Sequence, residues 1–349
     1  MTPQNTALWL PRRGKAFEVG PADYTPPAPN EVVVRAAAVA VNFVDAMPGI
    51  LYRIVLPWLR FPAVIGSDVA GEVVEVGNAV TRLHPGDRVV AHAFGIEKSQ
   101  NRPAEGAFQQ YVVLMQHMVS TIPDSLSYEQ AAVLPLAMST ASCGLFQRDQ
   151  LGLALPAPDP VDRHETVLVW GGSTSVGANA IQLARNAGYR VVATASPRNF
   201  DWVRSLGADA VVDYRSPTAV DDLVAAIGDS PLAGGLAIGS GSLRPCITVA
   251  ARTAGSKRVA SAHPGPPTTV RARLARRRGV AVSVIWGGTL KDNEVGAAIY
   301  ADFLPTALST GAYCAEPVAT VVGTGLDAIP DALAQLRAGI SATKLVVSL

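Results

Sequence analysis

The sequence predicts an α/β fold in which a doubly wound parallel sheet is joined to a β-rich region, and three observations carry the prediction. A short apolar run, Thr166-Val167-Leu168-Val169-Trp170, opens straight into Gly171-Gly172-Ser173-Thr174-Ser175-Val176-Gly177 and then into an alanine-rich helical pattern. From about residue 129, candidate strands at 166–170, 190–194, 210–213, 236–239, 256–261 and 281–286 alternate with helical stretches, the rhythm of a parallel sheet covered on both faces. Ahead of that point the chain is a series of β-branched runs broken by Gly and Pro, which reads as strand-dominated.

Taken in order, Val32-Val33-Val34-Arg35, Val69 to Val76 and Asp87-Arg88-Val89-Val90 are the clearest strands of residues 1–128, the first domain. Ser127-Tyr128-Glu129-Gln130 starts a helical stretch through Ala131, Ala132 and Leu134, and residues 129–286 form the sheet domain. Within it, Leu155-Pro-Ala-Pro-Asp-Pro160 reads as an exposed insertion ahead of the first sheet strand. Residues 287–349 are predicted to hold a helix near 294–310, a strand at 316–322, a helix at 327–338 and a last strand, Lys344-Leu345-Val346-Val347. This tail is expected to rejoin the first domain, leaving an active site in the cleft between the two. There is no internal repeat.

With 349 residues, 49% of them hydrophobic and 16% charged, the chain can fill two substantial cores. A net charge of +1 supplies no global field for nucleic acid or an anionic membrane. The start, Met-Thr-Pro-Gln-Asn, lacks the basic and apolar stretches of a secretory leader, and no apolar run reaches about 18 residues, so a soluble cytoplasmic chain is expected. Cys143, Cys246 and Cys314 are odd in number and far apart, which argues against a disulfide framework and against a C-x-x-C zinc cluster. They read as small hydrophobes.

Strand, tight glycine turn and helix N-terminus together form an anion cradle, because free backbone N–H groups and the positive helix end both face a diphosphate. Gly172, Ser173, Thr174, Ser175, Val176 and Gly177 are therefore candidate dinucleotide-binding residues, with Thr174 at the middle glycine position of G-x-G-x-x-G. About 20 residues on, an NAD-preferring fold places an acid on the adenine ribose. Here the second strand ends instead in Ala195-Ser196-Pro197-Arg198-Asn199-Phe200. A hydroxyl, a guanidinium and an amide stand where a carboxylate would repel phosphate, which favours the 2′-phosphate of NADPH. Capping of the next helix is the structural alternative for Ser196 and Asn199.

The run Gly66-Ser-Asp-Val-Ala-Gly71-Glu-Val-Val-Glu-Val-Gly77, then Pro85-Gly86-Asp87-Arg88-Val89, Gly106-Ala107-Phe108, Gln130-Ala131-Ala132 and Lys344-Leu345-Val346-Val347 resemble the medium-chain dehydrogenase/reductase superfamily along essentially the whole chain. The resemblance implies a Rossmann domain and a GroES-like catalytic domain. Within the superfamily, Gly171-Gly172-Ser173-Thr174, Thr194 to Asp201 and Asp213-Tyr214-Arg215 are similar to the trans-acting enoyl reductases of polyketide synthesis, in which Thr174 in place of the glycine is usual. On those grounds Tyr214, Gly239, Ala342, Thr343 and Lys344 join the cofactor-binding set.

Zinc branches of the superfamily carry Gly-His-Glu where this chain has Gly66-Ser67-Asp68, and a Cys upstream where it reads Val41-Asn42-Phe43-Val44-Asp45. His84, His92, His117, His164 and His263 show no ligand spacing, so no metal is expected. Without a Lewis acid, alcohol oxidation loses its means of stabilising an alkoxide, whereas reduction of an activated C=C bond needs none. In that reaction hydride goes to the β-carbon of an α,β-unsaturated carbonyl, and donors at the carbonyl oxygen hold the enolate. The candidate catalytic residues are Asn42, Tyr52, Ser139 and Thr140. Pocket shaping by Tyr52 and helix-interior bonding by Ser139 and Thr140 are the alternatives.

The expected activity is a zinc-independent, NADPH-dependent reduction of an enoyl thioester or related carbonyl, in secondary metabolism. A quinone or enone oxidoreductase acting on small free electrophiles, and a catalytically silent NADPH-binding protein, are the competing readings. Two departures bear on this: the related enoyl reductases carry a Lys in the loop that here runs Asp45-Ala46-Met47-Pro48-Gly49, and their fourth strand's Asp-Cys-Ile is Ala237-Ile238-Gly239. Substrates are expected to be small or carrier-linked, with an acyl carrier protein as a partner, no nucleic acid and no membrane, in a monomer or homodimer. Arg271-Ala-Arg273-Leu-Ala-Arg276-Arg277-Arg278 reads as solvated helix surface or as a grip for phosphate or an acidic carrier.

Overall fold

The computed structural model describes residues 3–263 and 266–349. The chain divides into two compact units, residues 1–136 with 300–349, and residues 137–299.

In the first unit, β1 (Asn5–Leu10) pairs with β2 (Glu18–Ala22) and with β4 (Ala63–Val64). The larger sheet is built on β3 (Glu31–Ala40), β5 (Asp68–Val76), β6 (Arg88–His92), β7 (Tyr111–Met115) and β8 (Val119–Thr121). After β3 the chain enters the short helix α1 (Gly49–Val55). Helix α2 (Tyr128–Ala131) starts on a capping box in which Ser127 and Gln130 satisfy each other's backbone N–H groups. The Ser348 hydroxyl donates to Glu129 at 2.9 Å, tying α2 to the chain end.

Helix α3 (Pro135–Phe146) leads into the second unit, where β9 (Thr166–Trp170), β10 (Arg190–Ala195), β11 (Ala210–Asp213), β12 (Leu232–Ala237), β13 (Arg258–Ser261) and β14 (Ala281–Val284) form one parallel sheet. Their order, β11-β10-β9-β12-β13-β14, is that of a doubly wound dinucleotide fold, with the direction of winding reversing between β9 and β12. Thr166 to Val169 are fully buried, as a central strand covered on both faces must be. Helix α4 (Ser175–Asn186) follows β9 and buries Ala178, Ile181, Leu183 and Ala184. Finally β15 (Ala319–Thr324) and β16 (Lys344–Ser348) return to the first unit, β16 lying between β15 and β3.

Three elements differ most from their sequence expectations. The strand expected at 236–239 runs from Leu232 to Ala237, because Gly239 takes φ +81° and ends it, while Gly234 and Gly235 hide its apolar pattern. The helix expected at 294–310 is interrupted by a π-helical turn at Ala298–Phe303, just before Pro305, whose missing N–H removes an α-helical bond. The strand expected at 316–322 begins at Ala319. Residues 287–299 belong with the sheet unit: the Cys143 thiol meets the Gly287 carbonyl at 3.6 Å and Gln147 meets Thr289 at 3.1 Å. Among the described residues, no helix is long and apolar enough to cross a membrane.

Candidate active site

The carboxyl ends of β9, β10, β11 and β12 come together by register. Trp170 lies opposite Thr194 and Ala237, and Ala195 lies opposite Asp213, so the turns beginning at Gly171, Ser196, Tyr214 and Ile238 are neighbours. Gly171 adopts φ +95°, a conformation that only glycine takes without strain. Its N–H donates to the Thr194 hydroxyl at 3.0 Å, and the Gly172 N–H donates to the Thr194 carbonyl at 2.8 Å. Thr174 caps α4, its hydroxyl accepting the Gly177 N–H at 3.0 Å. The backbone N–H groups of Ser173, Ser175 and Val176 find no acceptor among the described residues. Three unclaimed donors at the positive end of a 12-residue helix fit a diphosphate.

Gly177 keeps the cradle open, since a Cβ there would lie 2.1 Å from the Gly171 carbonyl oxygen and 2.8 Å from Gly172 Cα. Gly177→Ala should therefore weaken nucleotide binding by about 100-fold, or roughly 2.7 kcal/mol. Titration by protein fluorescence measures it.

At the next turn Ser196 makes no capping bond, Arg198 is exposed, and Asn199 is buried. Tyr214 is half exposed, with the Arg215 guanidinium 5.2 Å from its ring centre, and Gly239 faces open space. The sheet unit thus gathers Gly172 to Gly177, Ser196, Arg198, Asn199, Tyr214 and Gly239. Ser139, fully buried, and Thr140, half-buried, also belong to this unit, on α3.

The first unit holds a second constellation. Register places Ala40 opposite both Asp68 and Val346, so Asn42, Asp68 and Lys344 converge. The Lys344 ammonium lies 2.9 Å from Asp68 Oδ2 and also donates to Asn42 Oδ1, while Asn42 Nδ2 donates to Asp68 Oδ2 at 2.8 Å. Asp68 Oδ1 accepts the Leu136 N–H at 2.7 Å. The Asn42 amide and the Lys344 ammonium, expected to serve substrate and cofactor, are thus engaged by Asp68 inside the fold. Ala342, at φ +54°, and Thr343, whose hydroxyl donates to the Val318 carbonyl at 3.0 Å, lie on the approach to β16.

Asp45 was not foreseen. Its Oδ2 accepts the Asn42 N–H at 2.9 Å, its backbone carbonyl accepts the Tyr52 hydroxyl at 3.0 Å, and its Oδ1 is buried without a hydrogen-bond partner. Burial, with Asp68 adding repulsion, pushes its carboxyl up to about 7, against the pull of Asn42 and Lys344. Burial likewise raises Tyr52 and holds the His92 imidazole down at about 4. The only sequence trace of this arrangement is an Asp three residues after Asn42, the spacing of a side chain closing a turn.

Zinc does not fit here. Where zinc-type relatives place Cys, His and Glu, this chain holds Asn42, Ser67 and Asp68, and an ammonium already occupies the carboxylate. Among the described residues no cluster of His, Cys, Asp and Glu has metal-binding geometry.

Sheet order, glycine cradle and the β-rich first unit define a protein with a doubly wound domain of the dinucleotide-binding type and a second, β-rich domain. Residues 28–124 match the family model for the alcohol dehydrogenase GroES-like domain. The chain is 47% identical to dehydrogenase azaJ of Aspergillus niger, covering 99% of each, and 36% identical to trans-enoyl reductase himH of Aspergillus japonicus, covering 99% of this chain and 97% of the relative. Among solved structures, CurK enoyl reductase superposes with a TM-score of 0.76 over 99% of both chains at 21% identity, a likeness of fold. The protein belongs to the medium-chain dehydrogenase/reductase superfamily, whose members use nicotinamide cofactors.

Proposed function

We propose that this oxidoreductase is an NADPH-dependent, zinc-independent reductase of activated carbon–carbon double bonds, with an enoyl thioester or related α,β-unsaturated carbonyl as substrate. The observation that carries the reading is the cradle: three unclaimed N–H groups at the head of α4, beside a turn after β10 that offers Ser196 and Arg198 and no carboxylate. The name of the himH relative, trans-enoyl reductase, supports the enoyl chemistry.

When bound, the nicotinamide nucleotide supplies a hydride for the β-carbon. Ser173, Ser175 and Val176 hold the diphosphate through backbone N–H groups, and Arg198 with Ser196 holds the 2′-phosphate. Tyr52 can donate to a substrate oxygen only by giving up its 3.0 Å bond to the Asp45 carbonyl, and the Asn42 amide is already engaged. Neither Tyr52 nor Asn42 is held ready as an acid, so water supplies the α-proton and several donors share the enolate, with Thr140 among them.

The test is NADPH oxidation against crotonyl-CoA, a pantetheine-linked enoyl thioester and a simple quinone. Turnover of the thioesters with the quinone inert is expected; quinone turnover alone would make this a quinone reductase. Nucleotide binding with no turnover at all would leave a silent NADPH-binding protein. NADPH should bind more tightly than NADH by roughly 1.5–3 kcal/mol, and Arg198→Ala should erase most of that difference. Equal affinities in the parent protein would remove the basis for NADPH. Elemental analysis is expected to find zinc well below stoichiometry, and essential stoichiometric zinc would overturn that part.

A further inference from the structure

From Ser230 to Lys291 the chain carries no Asp or Glu, against ten Lys and Arg, so in a protein of net charge +1 the compensating acids all lie elsewhere. Half of those cations fall on the helix Pro266–Arg276 and the turn after it. Thr268 and Ala275 of this helix are buried, whereas Arg271, Arg273, Arg276, Arg277 and Arg278 are exposed. Among the described residues none of these five is in an ion pair, and Arg278 reaches only the Thr248 hydroxyl, at 3.4 Å. Some exposed arginines elsewhere in the sheet unit have carboxylates, as Arg252 has Asp221 at 2.6 Å and Arg204 has Asp201 at 2.9 Å, and those without one, Arg198, Arg215 and Arg244 among them, are scattered singly along the chain. Between the free arginines stand Val270 and Leu274, one helical turn apart and 60% and 53% exposed.

We infer that this face docks an acidic acyl carrier protein, which delivers the enoyl group on its phosphopantetheine arm; the inference rests on the enoyl thioester reading above. An uncompensated positive field steers a negative partner and sets orientation. The two apolar side chains supply a small dry contact of the kind that seats one helix on another. They are too few for a lipid surface, since a helix lying in a membrane sinks a broad apolar face, and here the inward face is already spent on the sheet. Arginine forks also match the carrier's phosphodiester.

The test uses the whole protein with holo acyl carrier protein of bacterial fatty-acid synthesis as the probe. Carrier binding is read by fluorescence anisotropy at low and high salt for the parent, for the triple variant Arg271→Glu/Arg273→Glu/Arg277→Glu, and for the same three positions changed to Lys. The Glu variant should bind at least about 10-fold more weakly and the Lys variant within about 3-fold of the parent, with the difference closing at high salt. NADPH affinity, unchanged across the three, certifies the fold. A crotonyl group on the carrier should then lose about 10-fold in kcat/KM in the Glu variant while crotonyl-pantetheine does not. No carrier binding by the parent at low salt, equal binding by the Glu variant, or equal loss on both substrates would overturn the docking face. Sedimentation with phosphatidylserine vesicles without carrier binding would overturn it in favour of lipid. Carrier binding that obeys these expectations, with neither thioester reduced by any variant, would defeat the reductase reading and leave the docking face standing.

Discussion

Lys344→Met is expected to cost the folded protein about 3–5 kcal/mol, because it strips the ammonium from a carboxylate with no access to water. Asp68 is fully buried and Lys344 is 3% exposed. Removing the ammonium leaves Asp68 with the Asn42 amide and the Leu136 N–H, two donors that soften the charge and do not neutralise it. Replacing Asp68 by Asn in the same protein should recover most of the loss, since a neutral amide needs no counter-ion. Urea unfolding of the two single variants and the double variant reads the coupling directly. A cost below about 1 kcal/mol for Lys344→Met would show the pair to be hydrated, as surface pairs are.

Asp45→Asn should become progressively more favourable relative to the parent as pH rises from about 4 to 7, by an amount on the order of 4 kcal/mol. The Asp45 carboxyl sits at about 7 in the fold and near 3.8 when unfolded. Across that window the native state binds the extra proton, so stability is full below the unfolded value and falls until the native value is passed. The groups facing it are Asn42 and Tyr52 on its own segment, Asp68 on β5 and Lys344 on β16. His92 on β6, coupled to Asp68 and Lys344, pulls the other way. Its imidazole is held at about 4 against 6.5, so it contributes stability above 6.5 that is lost as pH falls toward 4. In the parent the two slopes oppose one another between about pH 4 and 6.5. Asp45→Asn should expose the His92 slope alone, with stability rising with pH over that interval. Unfolding free energies at half-unit pH steps measure this, and parallel profiles for parent and variant would refute an elevated Asp45.

The strand–turn–helix geometry of the cradle was legible in sequence because its parts are adjacent in the chain: strand, glycine turn and cap lie within residues 166–177. Each local preference there agrees with the fold. The Asn42, Asp68 and Lys344 cluster was not legible as a unit, since it joins positions 26 and 302 residues apart and exists only once β16 lies against β3 and β3 against β5. The family resemblance set Lys344 with the cofactor, and Asn42 was read as a donor to the substrate. Their mutual satisfaction is a property of strand register, which a one-dimensional pattern does not carry. The slipped strand at 232–237 and the π-helical turn at Ala298–Phe303 have the same origin, glycines that silence an apolar period and a proline that acts on the turn before it.

A cradle built from the amides of Ser173, Ser175 and Val176 is indifferent to what those residues carry outward. With the diphosphate held as proposed, substitution at positions 173, 175 and 176 is expected to leave anion affinity little changed, while positions 171 and 177, which contribute no side chain whatever, are fixed by φ and by space. The identity of such a site is written in what its residues lack, and a search keyed to functional groups passes over it.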